Sequence, residues 1–357
     1  MSNFSSVKIT GADGSSNGLI FNAGSPQVCS QPYLQAMAEG DITGHTPWVK
    51  IGYTPTMTNA DSDIWSGAGA YVYPVAQQQM EFLSSNNADD IAAVLRTGTS
   101  TGGTTTSLID AGANFTAATA VAAGDCVLLT GTDAFGFVTG VSATELTIAG
   151  GFSDGLTASG KAYSVVDYSN TAGAHVVRLE YLDAAYAQQA EFLILNGTTV
   201  TTTTSSNIFR IQSMRVVAAG SNGKPTGNIT LRNLADTPVY GYITAGFTRA
   251  RNSVWTVPAG KTLYIYGVNV AFGHTQNNNQ YCRIYTRATQ YSPASAGAAS
   301  FRTPGIFYPF SEIICSNSSS VINLDSPTKL GEKVDLKVSG IATAAGVATC
   351  ALRGWLE

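Results

Sequence analysis

Three acidic residues, Glu180, Asp183 and Glu191, lie close together in the sequence, and a carboxylate pair is what glycoside hydrolysis needs. That chemistry requires the two groups to face each other across a cleft. Glu180, however, falls on the polar face of an alternating segment, where a solvated charge is the ordinary state. A G-x-S-x-G pattern occurs twice, at Gly14 to Gly18 and Gly151 to Gly155. A nucleophile elbow needs a buried strand before the serine and a helix after it, and neither copy is followed by a helical pattern. His45, His175 and His274 stand on separate segments without a nearby nucleophile, which fits surface or capping positions better than a catalytic base. Asn59, Asp61 and Asp63 open like a calcium loop, but Ile64 stands where such a loop needs Gly and Ala70 where it needs a bidentate Glu. Turn formation or capping by these side chains is the plainer account. Cys29, Cys126, Cys282, Cys315 and Cys350 are widely spaced without a CxxC pair, the pattern of reduced and mostly buried thiols. No Gly-rich loop ends in Lys-Ser or Lys-Thr, as phosphate cradles do. The expectation is a chain without catalytic residues, cofactor or metal.

The elements that carry these residues are strands. In Val176 to Leu182, Val177, Leu179 and Tyr181 alternate with Arg178 and Glu180. Glu191 to Leu195 follows, then Asn196-Gly197, which tolerates positive φ and turns the chain into the threonine run Thr198 to Thr204. Ile208 to Val217 completes the group. The expected product is an antiparallel sheet that presents surface.

Composition agrees. Charged residues make up 12%, about half the usual share, whereas 44% of residues are apolar, so disorder is not expected. Gly (37) and Tyr (16) are abundant. A net charge of −4 gives no basic field, which disfavours nucleic acid and anionic membranes as partners. A sparsely charged surface suits coverage by protein partners. The first residues have neither a basic n-region nor an apolar h-region, and no run reaches a membrane-spanning length, so synthesis in a cytoplasm is expected.

In order, residues 1–58 read as an N-terminal arm with weak periodicity, including a short helix at Gln31 to Glu39 and a strand at Trp48 to Tyr53. An arm with little core of its own lies along its own domain or along a neighbouring subunit, and the neighbour is favoured. Residues 59–95 and 169–235 form a discontinuous first β-sandwich, with Trp65 as a core anchor beside Gly67 and Gly69. Residues 96–168 open with a Gly/Thr linker and continue as a small β-barrel-like module with strands at Cys126 to Leu129, Phe135 to Val138, Leu146 to Ile148 and Tyr163 to Val166. The module reads as an insertion, cheap in closure entropy at about 0.6 kcal/mol per doubling of loop length. Residues 236–357 form a C-terminal β-sandwich. It contains Leu263 to Phe272, apolar on both faces, a polar tip at Gln276 to Asn279, an Ala/Ser/Gly loop at Ser292 to Thr303, and Trp355, which should pin the C-terminus. The expected fold is all-β, with antiparallel sandwich or jelly-roll-like domains.

The stretches IWSGAGAYVYP (Ile64 to Pro74), VVRLEYLDAAY and EFLILNGTTVTTT (Val176 to Thr203), RIQSMRVVAAGSNGKPTGNITL (Arg210 to Leu231), VWTVPAGKTLYI (Val254 to Ile265) and the terminal GWLE resemble a family of structural virion proteins from tailed bacteriophages. The inserted module, with its VxxGDxV turn at Val121 to Val127 and TELTI strand at Thr144 to Ile148, resembles small modules that recur in phage particle proteins. The chain departs from the commoner pattern in carrying the insertion, and in having Ser66 and Ala68 in a stretch that is often more acidic. The resemblance implies a non-enzymatic virion component: a capsid decoration or head-fibre protein, homotrimeric, bound to the major capsid protein or other virion proteins. It implies no catalytic residues. The alternative it leaves open is a tail-associated or receptor-binding protein that contacts a host surface glycan through the module and the Gln276 to Asn279 tip. The absence of heptads or a fixed-period repeat favours the head.

Overall fold

In the computed structural model the described residues are 20–21, 28–29, 43–117, 120–274, 280–289 and 306–357. Among them the chain is all-β, its strands pair antiparallel throughout, and no helix is present. The Gln31 to Glu39 helix, the Gln276 to Asn279 tip, the Ser292 to Thr303 loop and the Gly14 to Gly18 motif lie outside the described residues, as does most of the arm.

A middle sandwich is built from two sheets. The first has Ala174–Leu182 at its centre, between Gln188–Ile194 and Arg210–Ala219. The second runs Thr201–Thr202, Met80–Ser84, Ile229–Asn233 and Val239–Ile243. The alternation in the first sheet decides what is buried. Val177, Leu179 and Tyr181 turn inward to meet Phe82, Leu231 and Ile243 of the second sheet, while Arg178 and Glu180 turn to the opposite face. Gly197 sits at φ 59° in the turn after Asn196, the conformation its lack of a Cβ permits. Of the threonine run, only Thr201–Thr202 pairs as strand.

The C-terminal sandwich packs two sheets around one core. The first runs Ser318–Leu330, Leu263–Gly273, Gly346–Leu356 and Thr46–Met57; the second runs Trp255–Thr256, Asp335–Ala342, Cys282–Ala288 and Tyr308–Cys315, with Ser62–Asp63 also paired to Asp335–Ala342. Two boundaries differ from the sequence reading. Thr46–Met57, placed in the arm, pairs along the whole of Gly346–Leu356 and forms the edge of the C-terminal sheet. Val239–Ile243, placed after residue 235 with the C-terminal domain, pairs with Ile229–Asn233 in the middle sandwich. Both are long-range pairings, which local periodicity does not encode. The long strand Ser318–Leu330 and its neighbour Tyr308–Cys315 were not read from the sequence, because their serines, prolines and charges sit on sheet-edge positions where apolar alternation is weak. Trp355 secures the C-terminus from outside the core, stacked on Tyr264 at 5.1 Å between ring centroids and 10° between planes. Trp65 is buried as expected. Its ring lies directly over Gly67, where a Cβ would collide with it, and its indole N–H donates to the Gly69 carbonyl at 3.0 Å.

Residues 94–166 form a separate sheet in the order Val94–Thr99, Ala162–Val166, Cys126–Leu129, Phe135–Val141, Glu145–Ile148, Ser107–Ile109 and Gly102–Gly103. The segment read as a Gly/Thr linker therefore contributes strands. The chain enters and leaves the sheet side by side, with the Asp167 N–H donating to the Ala93 carbonyl at 2.9 Å. Cys126–Leu129 is apolar on both faces for two different reasons. Val127 and Leu129 fill the sheet's own core around Leu108, Phe115 and Tyr163. Cys126 and Leu128, with Val166, pack on Val176 and Ala218 of the middle sandwich. Replacing residues 96–168 by a short Gly-Ser bridge is therefore expected to leave a folded remainder that exposes Val176, Phe192 and Ile194. Circular dichroism should retain the β signal while a hydrophobic dye binds and the protein self-associates. Adding Phe192→Ser and Ile194→Thr should suppress the dye binding, and loss of the β signal would show that the sheet is needed for folding.

Candidate functional site

The three sequence-singled acids do not converge. Glu191 pairs with Leu179 and shares the inward face, whereas Glu180 lies on the opposite face of the same sheet. Burial raises the Glu191 carboxyl, offset in part by hydrogen bonds from Ser205, whose N–H donates at 2.9 Å. Asp183 closes its own turn by accepting from the Ala185 and Ala187 N–H groups at 2.9 and 3.0 Å. Ser153 of the second G-x-S-x-G accepts from the Phe135 N–H at 3.2 Å, and no helix follows it.

Asp61 and Asp63 are held by different cations. Asp61 is partly exposed and pairs with Arg287 at 2.6 Å. Asp63 is buried and accepts from Lys337 at 3.1 Å, the Ser339 hydroxyl at 2.8 Å and the Tyr71 N–H at 2.6 Å. It acts as a tie between strands rather than a cap. Among the described residues no group of three or more His, Cys, Asp or Glu is placed to hold a metal ion, and no helix is long and apolar enough to cross a membrane. Cys126, Cys282, Cys315 and Cys350 are buried free thiols, and burial pushes Cys282 and Cys350 up to about 12, away from reactivity.

His45 is a surface residue within 3.4 Å of Glu357. His175 is a correction: expected at the surface or as a cap, it is fully buried at the start of the central strand. Its Nε2 lies 3.0 Å from the Thr171 hydroxyl, and its Nδ1 has no partner. Burial lowers its pKa, with the Thr171 hydrogen bond and then Asp167 and Asp90 opposing. The unfolded chain therefore takes up the proton first, so the stability this residue confers is complete above about 6.5 and is lost as pH falls from there toward the depressed folded value. Denaturant unfolding is expected to show this loss as pH falls below about 6.5, and His175→Gln should reduce the slope.

One cavity was not legible in the sequence. It is a groove of about 810 Å³ whose floor is the outward face of the middle sandwich, where Glu180 pairs with Ala190 on one side and Ser213 on the other. One wall is the Gly131 to Asp133 turn of the inserted sheet. The other is the Thr46 to Lys50 stretch of the C-terminal sandwich edge, backed by Trp48 and Trp255, whose rings lie 5.1 Å apart. Arg178 is clamped between two partly exposed carboxylates, Glu180 and Asp133. Ser213 donates to the other Glu180 oxygen at 2.5 Å. Asp154 neighbours Asp133, and their side-chain interaction lowers Asp133 and raises Asp154. Lys50 reaches across the groove to the Gln212 carbonyl, and burial pushes its ammonium down to about 7. Alternation marked Arg178 and Glu180 as a shared polar face, but nothing local identified the two walls. Comparison with protein-family models, with curated proteins and with solved structures finds no match.

Proposed function

We propose that this chain is a non-enzymatic structural component of a bacteriophage virion, a capsid decoration or head-fibre protein that assembles on the particle surface as a homotrimer against the major capsid protein. The observation that carries this reading is the outer face of the four-stranded C-terminal sheet. There Ile51, Ala351, Asn269 and Val321 line up across all four strands, with Val321 62% and Ile51 41% exposed and Val49, 60% exposed, in the next row. Exposed apolar side chains at both edges of this row, with Ala351 and the polar Asn269 between them, suit a permanent protein contact. Glu180 and Glu191 lie on opposite faces of one sheet and Asp183 closes its own turn, which favours shape over reactivity as the working principle.

A second reading, a tail-associated or receptor-binding protein that contacts host surface glycans, draws support from the groove. Copy number separates the two. Quantitative mass spectrometry of purified particles is expected to find hundreds of copies, a handful would favour the tail, and absence from particles would overturn both. Deleting residues 1–40 should leave a folded chain that no longer loads onto particles.

A further inference from the structure

We propose that the groove at the junction of the inserted sheet and the two sandwiches binds a neutral oligosaccharide. This concerns the purified chain and does not rest on its placement in a particle. The volume of about 810 Å³ falls within the range of small-molecule sites, and its lining mixes acceptors, donors and aliphatic carbon.

The charges decide the ligand class. Asp133 and Glu180 repel an anion, so phosphate, sulfate and nucleic acid are disfavoured. Arg178 between them disfavours a cation, and Lys50 adds little positive charge above neutrality, with its ammonium pushed down to about 7. A purely apolar ligand would strand the two carboxylates and Ser213 without water. What remains is an uncharged molecule rich in hydroxyls. A carboxylate has about four acceptor positions, and Glu180 engages Arg178 and Ser213 from different oxygens, which leaves capacity for a diol. Gln188, exposed at the end of the floor, brings one acceptor and two donors. Pro47 and Val49, both exposed on the wall, give apolar surface for the C–H faces of a sugar ring. Because Arg178 already fixes both carboxylates, binding costs little side-chain entropy at those groups.

The test is isothermal titration of the full chain with maltohexaose, cellohexaose, mannohexaose and chitohexaose, with sialyllactose and dextran sulfate as anionic counter-probes. At least one neutral probe is expected to bind saturably at millimolar concentration or below, and neither anionic probe should bind. Ala190→Trp fills the floor without removing a hydrogen bond and should abolish binding while the melting temperature stays unchanged. Glu180→Gln should weaken binding more than tenfold, the equivalent of one hydrogen bond to a charged group. Should that variant fail to fold, Gln188→Ala, at an exposed position, serves in its place with a severalfold loss. Silence from all four neutral probes, preference for an anionic probe, or binding that survives Ala190→Trp would each overturn the proposal.

Discussion

Replacing Asp90 by Ala is expected to cost about 3–5 kcal/mol of unfolding free energy, the scale of several hydrogen bonds to one buried charge lost together. Asp90 is completely buried where the inserted sheet leaves and rejoins the middle sandwich. One carboxylate oxygen accepts from the Ala174 and Thr226 N–H groups at 2.8 and 2.9 Å; the other accepts from the Ser84 hydroxyl at 2.6 Å and the Gly227 N–H at 2.7 Å. These donors come from the Met80–Ser84 strand, the start of the central Ala174–Leu182 strand, and the turn before Ile229–Asn233. Without the carboxylate, the buried Ala174 and Gly227 amides have no acceptor and the three segments lose their common tie. Asp90→Asn keeps one acceptor oxygen but presents an amide to N–H groups, so it should fall between wild type and Ala. Urea unfolding at neutral pH measures both. A cost below about 1 kcal/mol for Asp90→Ala would mean that water replaces the carboxylate, contrary to the burial.

Arg210→Ala is expected to destabilise by a similar about 3–5 kcal/mol and, unlike Asp90→Ala, to uncouple the two sandwiches. Arg210 begins a strand of the middle sandwich, and its Nε and second terminal nitrogen meet both oxygens of Asp335 on the C-terminal sandwich at 3.0 and 3.2 Å. The remaining terminal nitrogen donates to the Pro74 carbonyl at 2.7 Å, and the guanidinium lies 4.0 Å from the Phe209 ring centroid. Thr256 donates to the same Asp335 at 2.6 Å, while Gln212 bridges to the Thr256 backbone with its amide, donating at 2.5 Å and accepting at 3.2 Å, as a neighbouring strand would. The seam is thus polar, buried and saturated. Removing only the arginine leaves Asp335 as an uncompensated buried charge, which is why one-sided deletion costs more than the pair itself contributes. The double variant Arg210→Met, Asp335→Leu should recover much of the loss. Limited proteolysis of Arg210→Ala should cut between the sandwiches before either is degraded; a single cooperative unfolding transition with an unchanged digestion pattern would refute the uncoupling.

The same contrast separates what was legible in the sequence from what was not. Alternation of apolar and polar residues marked the strand Val176 to Leu182, and short apolar runs bounded by turn residues marked Cys126 to Leu129, Val239 to Ile243 and Leu263 to Phe272, and with them the all-β, antiparallel class. The Asn196-Gly197 turn followed from backbone chemistry. These are local properties, set by the side-chain period and by φ preferences. Only the tertiary structure decided that Thr46–Met57 closes the C-terminal sheet, that Glu180 and Glu191 face apart, that Asp90 and Asp335 are anchors, and that Asp133 joins Arg178 to wall a groove. Each of those depends on a partner far along the chain. An isolated Asp in a polar turn reads the same whether its acceptors face water or four protein donors, because the free energy that fixes its role resides in the approach of distant segments and leaves no periodic trace in the residues themselves.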